Sequence, residues 1–185
     1  MIFVRVSNQT RTMKRVKYLF PAVLLVAGLI SCQRIVSLPN EPRVEYTSFA
    51  VFDTTDILGN SYKGGRLKFY FEDGDGDLGL PQPSGEEGSD TINLYLTLYK
   101  KSNGSMIPAT PGDILFTKGY RIPYIDRPGQ NKILRGTIAV SFLYQFYNTD
   151  DSTIIKYNFY VRDRADNVSN TETTPEISVS VNGTY

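Results

Sequence analysis

The run Glu72-Asp73-Gly74-Asp75-Gly76-Asp77-Leu78-Gly79 places aspartates at three alternate positions, with a glycine after each of the first two. On a backbone that glycine allows to fold tightly, carboxylates so spaced turn hard oxygen ligands towards one point, as a calcium ion requires. The spacing matches a helix–loop–helix calcium loop at its first, third and fifth places only. Leu78 stands where that loop has glycine, Ser84 where it has its bidentate glutamate, and a strand-like segment leads in, which excludes an EF-hand. Asp-Gly pairs also have a purely architectural use as turn formers whose side chains cap their own backbone. Other chemistry is thin. The chain has no histidine, and with it goes the commonest general base and metal ligand. It has no Gly-x-Ser-x-Gly elbow, no phosphate-cradling loop with its lysine and no zinc motif. Carboxylate pairs such as Asp75 with Glu86 or Glu87 remain for glycoside hydrolysis, but all three fall on loop sequence, Glu86 and Glu87 in the polar run Gln82 to Asp90, where charges are ordinarily only solvated. The expectation is a protein without catalytic residues.

Cys32 is the single cysteine, so no disulfide can form within the chain. Its setting gives it another use. Three basic residues in Met13-Lys14-Arg15-Val16-Lys17 precede an apolar run from Tyr18 to Ile30, which closes on Leu29-Ile30-Ser31-Cys32. The run is too short for a membrane span of ~20 apolar residues and has the order of a secretory signal. The closing tetrad resembles the bacterial lipobox. That resemblance implies that the Cys32 thiol is diacylated, that cleavage makes Cys32 the new amino terminus, and that this terminus is acylated in turn. Residues 1–31 are then expected to be a signal peptide, with translation starting at Met13, and residues 32–42, which include Pro39 and Pro42, a lipidated tether. Two or more acyl chains anchor a protein stably where one does not.

Removing the signal changes the charge. Residues 1–31 hold five of the 20 basic residues and no acidic one, which leaves 15 basic against 19 acidic and turns the formal +1 of the whole chain into −4. A mildly acidic domain without a basic cluster is a poor partner for nucleic acid, whose affinity depends on phosphate neutralisation.

Residues 43–185 suffice for one domain with a single core. Period-two alternation dominates them: Leu67, Phe69 and Phe71; Ile92, Leu94, Leu96 and Leu98; Ile138, Val140 and Phe142; Ile155, Tyr157, Phe159 and Val161; Ile177, Val179 and Val181. With Val44 to Phe52 and the stretch from Leu115 to Ile125, about seven strands are expected. No apolar stripe has helical spacing, so the expected class is all-β, a β-sandwich. Tyr70, Tyr95, Tyr99, Tyr144, Tyr147 and Tyr160 fall off the buried rows or at strand ends, where tyrosine either stacks on sugars or pairs across strands, and cross-strand pairing is the commoner use.

The Asp-Gly-Asp-Gly-Asp-Leu-Gly loop, a later turn Asp163-Arg164-Ala165-Asp166-Asn167, and the middle stretch from Tyr120 to Gly136 together resemble immunoglobulin-like lipoproteins of gram-negative envelopes. The resemblance spans most of the domain and implies an immunoglobulin-like sandwich on an outer-membrane lipoprotein. It further implies that Asp163 and Asp166 approach Asp73, Asp75 and Asp77 at one end of the sandwich, where the five carboxylates share one Ca2+. Asp166 departs from the related turns, which often have glycine there. Because Gln33-Arg34-Ile35 carries no acidic run after Cys32, the periplasmic face is expected rather than the cell surface. The expected role is a binding or scaffolding module for envelope proteins or glycans; the rival is a glycan-capturing or glycan-active surface lipoprotein.

Overall fold

The alternating rows of the sequence become strands. The computed structural model of the protein describes residues 38–85, 92–126, 132–144 and 153–185. The expected signal peptide with Met13, Cys32 and the first part of the tether lie outside the described residues, as do Glu86, Glu87 and Tyr147. Among the described residues ten strands follow one another: β1 (Arg43–Thr55), β2 (Ser61–Asp73), β3 (Leu94–Ser102), β4 (Ser105–Pro108), β5 (Gly119–Tyr120), β6 (Leu134–Tyr144), β7 (Ile154–Val161), β8 (Glu172–Thr173), β9 (Ile177–Ser178) and β10 (Gly183–Thr184). All pairings between these strands are antiparallel, and the described residues contain no helix.

Two sheets result. One has the order β10-β1-β2-β6; the other runs β4-β3-β7-β8, with β5 also on β3 and β9 also on β7. Their inner faces share one core in a sandwich-like arrangement: the ring centres of Phe69 on β2 and Phe159 on β7 lie 5.2 Å apart, and those of Phe49 on β1 and Tyr157 on β7 lie 5.8 Å apart. Ile155, Tyr157, Phe159 and Val161 are wholly buried along β7. Each such side chain contributes ~1.5–3 kcal/mol by leaving water.

The inner row of β2 positions the acidic loop. Lys63, Gly65, Leu67, Phe69, Phe71 and Asp73 are all buried, while Arg66 and Lys68 between them face out. The row therefore starts on a buried cation and ends on a buried carboxylate.

Several expectations change. The seven expected strands all contain a strand, and β4, β8 and β10 are additional. The hairpin from β3 to β4 turns on Asn103 and Gly104, both at positive φ (49° and 81°), the backbone that an Asn-Gly pair adopts most readily. Between Leu115 and Ile125 only Gly119–Tyr120 is strand. Ile138 and Val140 are only half-buried because β6 is the edge of its sheet, leaving its inner face incompletely covered. Val181 is exposed, since β9 ends at Ser178. Tyr144 is not on a polar face: it is buried at the end of the row Ile138, Val140 and Phe142, and its hydroxyl lies 3.2 Å from that of Tyr157.

Candidate metal centre

Asp73 ends β2 on the core side and has no solvent exposure. Its Oδ2 accepts the Leu78 N–H at 2.7 Å and its Oδ1 the Gly76 N–H at 3.3 Å, so one carboxylate folds the loop back upon itself. Leu78, wholly buried, pins the far side of that loop into the core, which explains a leucine where an EF-hand would need glycine. Leu80 then forms a parallel bridge with Pro123, and its N–H donates to the Ile122 carbonyl at 2.9 Å.

Two glycines are there because other backbone comes too close for a side chain. A Cβ on Gly74 would overlap the carbonyls of Leu38 and Pro39, where the chain enters the domain. A Cβ on Gly76 would overlap the carbonyl of Lys132, and its φ of +72° is costly for any other residue. The loop thus lies where three separate stretches of chain meet: the start of the domain, the approach to β6, and the segment around Pro123.

Each of Asp73, Asp75 and Asp77 brings a carboxylate oxygen within 4.8 Å of the others. Oδ1 of Asp75 and Oδ1 of Asp77 are buried and have no hydrogen-bond partner among the described residues. Electrostatics reflect the crowding. Burial pushes the Asp73 carboxyl above the usual carboxylate range, against the Leu78 N–H that favours its ionised form, and the Asp75 carboxyl adds to the rise. Asp77 is pushed up to about 6, first by burial and then by the charges of Asp163, Asp75 and Asp73, with Arg164 opposing. Oxygen atoms that are buried, unpartnered and mutually repelling suit a hard cation, and the donor set, all carboxylate oxygen, fits calcium.

The later turn meets this loop in a different way from that expected. Asp163 is buried, and its charge reaches Asp77, but its own oxygens accept the Asn167 backbone N–H at 2.8 Å and the Asn167 side-chain amide at 2.9 Å. It holds its turn closed. Asp166, at φ 67°, points away: its side chain is 76% exposed and pairs with Arg162 at 3.5 Å. The close carboxylate group therefore comprises Asp73, Asp75 and Asp77, with Asp163 as a neighbouring charge and Asp166 outside it. The residue that ties the two loops together is Arg164, whose Nη1 donates to the Gly79 carbonyl at 2.7 Å while its guanidinium lies 4.8 Å from the centre of the Tyr124 ring. Arg164 stands inside the pentad that the sequence singles out, yet its role depends on a reach across 85 residues that local pattern does not encode.

Among the described residues, Tyr70, Tyr95 and Tyr160 form no common patch beside these carboxylates. Tyr95 and Tyr160 stack across β3 and β7 at 5.0 Å, with the Arg162 guanidinium 5.7 Å from the Tyr95 ring centre, on the outer face of one sheet. Tyr70 lies on β2 in the other sheet and bonds Glu72 at 3.1 Å. Comparison with known protein families, curated proteins and solved structures gives no match.

Proposed function

We propose that this protein is a non-enzymatic lipoprotein of the gram-negative outer membrane. In this reading it is anchored through acyl chains on Cys32 at the periplasmic face, and its immunoglobulin-like sandwich is a binding or scaffolding module locked at one end by calcium. The observation that carries the calcium part is the pair of buried, unpartnered oxygens of Asp75 and Asp77 beside the buried Asp73. Asp73, Asp75 and Asp77 would hold the ion. Its charge would relieve their mutual repulsion and so fix the loop against the start of the domain, the approach to β6 and the Pro123 segment. Scaffolding is favoured over glycan capture because the partly exposed Tyr70, Tyr95 and Tyr160 occupy two sheets and are engaged with one another or with a charged neighbour.

The test has two arms. Cells fed a fatty-acid analogue should label the wild-type chain and not Cys32→Ser; an unlabelled wild-type chain would remove the anchor. Calcium should raise the melting temperature of the purified protein, and magnesium at the same concentration should raise it less. A melting temperature equal in calcium and in chelator would reduce the loop to a turn.

A further inference from the structure

At the opposite end of β2 the hairpin from β1 displays two aliphatic side chains to solvent. Ile57 is fully exposed and Leu58 is 81% exposed, adjacent at the tip of the turn Asp56–Asn60. Apolar residues at a mobile tip would mean little, but this turn is held by its first residue. Asp56 Oδ1 accepts the Leu58 N–H at 2.8 Å and the Asn60 N–H at 2.9 Å. Its Oδ2 accepts the Asn60 amide at 2.8 Å and the Tyr62 hydroxyl at 3.2 Å. The Asp56 N–H donates to the Asn60 carbonyl and the Asp56 carbonyl accepts the Gly59 N–H. One carboxylate thus sets the geometry in which Ile57 and Leu58 are presented, and a preformed surface loses little entropy on docking.

We propose that this turn is a docking finger whose Ile57 and Leu58 seat in an apolar cleft of a second envelope protein. This rests on the scaffolding reading above and supplies its contact. Two features favour a protein cleft over acyl chains. The first is position. The chain enters the domain at Leu38 and Pro39 against Gly74, at the far end of β2, and the 13 residues of β1 separate that point from the tip by about 40 Å. Cys32 stands six positions before Leu38 in the sequence, a length of chain that reaches ~20 Å at most, about half the distance from Leu38 to the tip. The second is charge. From Asp53 to Tyr62 the sequence has no lysine or arginine, and the carboxylate of Asp56 stands at the base of the finger. Segments that insert into anionic leaflets carry basic residues, whereas this tip fits a cleft with a cationic or amide rim.

A photo-crosslinking amino acid at position 58 of the full chain, in living cells, tests this, with the same residue at the exposed Asn103 as control. The expected result is one discrete protein adduct from position 58 and none from 103. A cyclised peptide of Thr54 to Tyr62 should suppress it in permeabilised cells, and an Ile57→Ser, Leu58→Ser version of that peptide should be at least about tenfold weaker. An adduct made only of this chain would replace the proposal with self-association. No adduct above the control would overturn it, as would an adduct that the peptide leaves intact. For lipid, an environment-sensitive dye on Ile57→Cys in a Cys32→Ser chain is mixed with vesicles of phosphatidylethanolamine and phosphatidylglycerol; a blue shift would assign the finger to the bilayer. Fatty-acid labelling in the same cells separates the two readings. A labelled chain without adduct loses the finger alone, and an unlabelled chain with adduct loses the anchor alone.

Discussion

Both ends of the inner row of β2 bury a charge, and they resolve it in opposite ways. At one end Lys63 bonds Asp53 at 2.6 Å and the Asn182 side chain at 2.8 Å. At the other, Asp73 meets two backbone N–H groups and the carboxylates of Asp75 and Asp77. The turns beyond these ends differ in the same sense. Asp56 closes the exposed turn with its carboxyl held below the ordinary range, chiefly by the Asn60 side chain, whereas Asp73 closes the buried loop with its carboxyl held above it, chiefly by desolvation. A buried charge with a counter-charge beside it is neutralised within the chain, and one beside like charges is relieved by a proton or, in the reading proposed above, by a cation.

The largest contrast should come from two glycines, both at positive φ. Gly59 in the exposed turn has open space around its missing side chain, while Gly76 lies against the Lys132 carbonyl. Gly76→Ala adds a backbone collision to the cost of the left-handed conformation and should destabilise by about 4 kcal/mol, or ~10 °C in melting temperature. Gly59→Ala bears the conformational cost alone, about 1 kcal/mol and ~3 °C. Equal losses at the two positions would show that the acidic loop is not fixed against its neighbours.

Calcium comes next. At a hundredfold excess over Kd, binding should add ~2.7 kcal/mol, a rise of ~8 °C. Asp75→Asn with Asp77→Asn should abolish that rise, and Asp56→Asn should leave it intact. Loss of the rise in Asp56→Asn would mean that the two ends are not independent.

A smaller effect follows from pH. In chelator, Asp77 titrates near 6 in the folded protein and near its ordinary value when unfolded, so between pH 4 and 6 the folded state holds the extra proton. Stability contributed by this group therefore falls as pH rises through that window. The Asp53 and Asp56 carboxyls are held low, and their contribution is present above the ordinary carboxylate value and lost as pH falls below it. Comparing thermal melts of wild type and Asp77→Asn from pH 4 to 6 isolates the first effect; parallel curves would remove it. Smallest of all, Asp56→Ala should speed hydrogen exchange at the Leu58 and Asn60 amides while leaving the amides of β2 protected.

The strands were legible where alternation is long, because a row such as Leu67, Phe69 and Phe71 has one physical explanation. What alternation cannot encode is whether the row lies in the centre of a sheet or at its edge, and Ile138 and Val140 show the difference. β8 and β10 have two residues each, too few for any period, whereas β4 did have a signal, the Asn103-Gly104 pair. In the site, the spacing of Asp73, Asp75 and Asp77 pointed to their convergence. The outward turn of Asp166 was hidden, because it depends on the φ of one residue and on the pull of Arg162. The role of Arg164 was hidden by distance along the chain.

The path of β1 has a mechanical meaning. The strand runs unbroken from the side where the chain enters the domain to the side where Ile57 and Leu58 project, and twelve register pairs fasten it along β2. A pull applied between those two sides would travel along the covalent backbone of Arg43–Thr55. Because that strand is already extended, its covalent bonds would take the load, and neither the hydrogen bonds to β2 nor the second sheet would bear much tension.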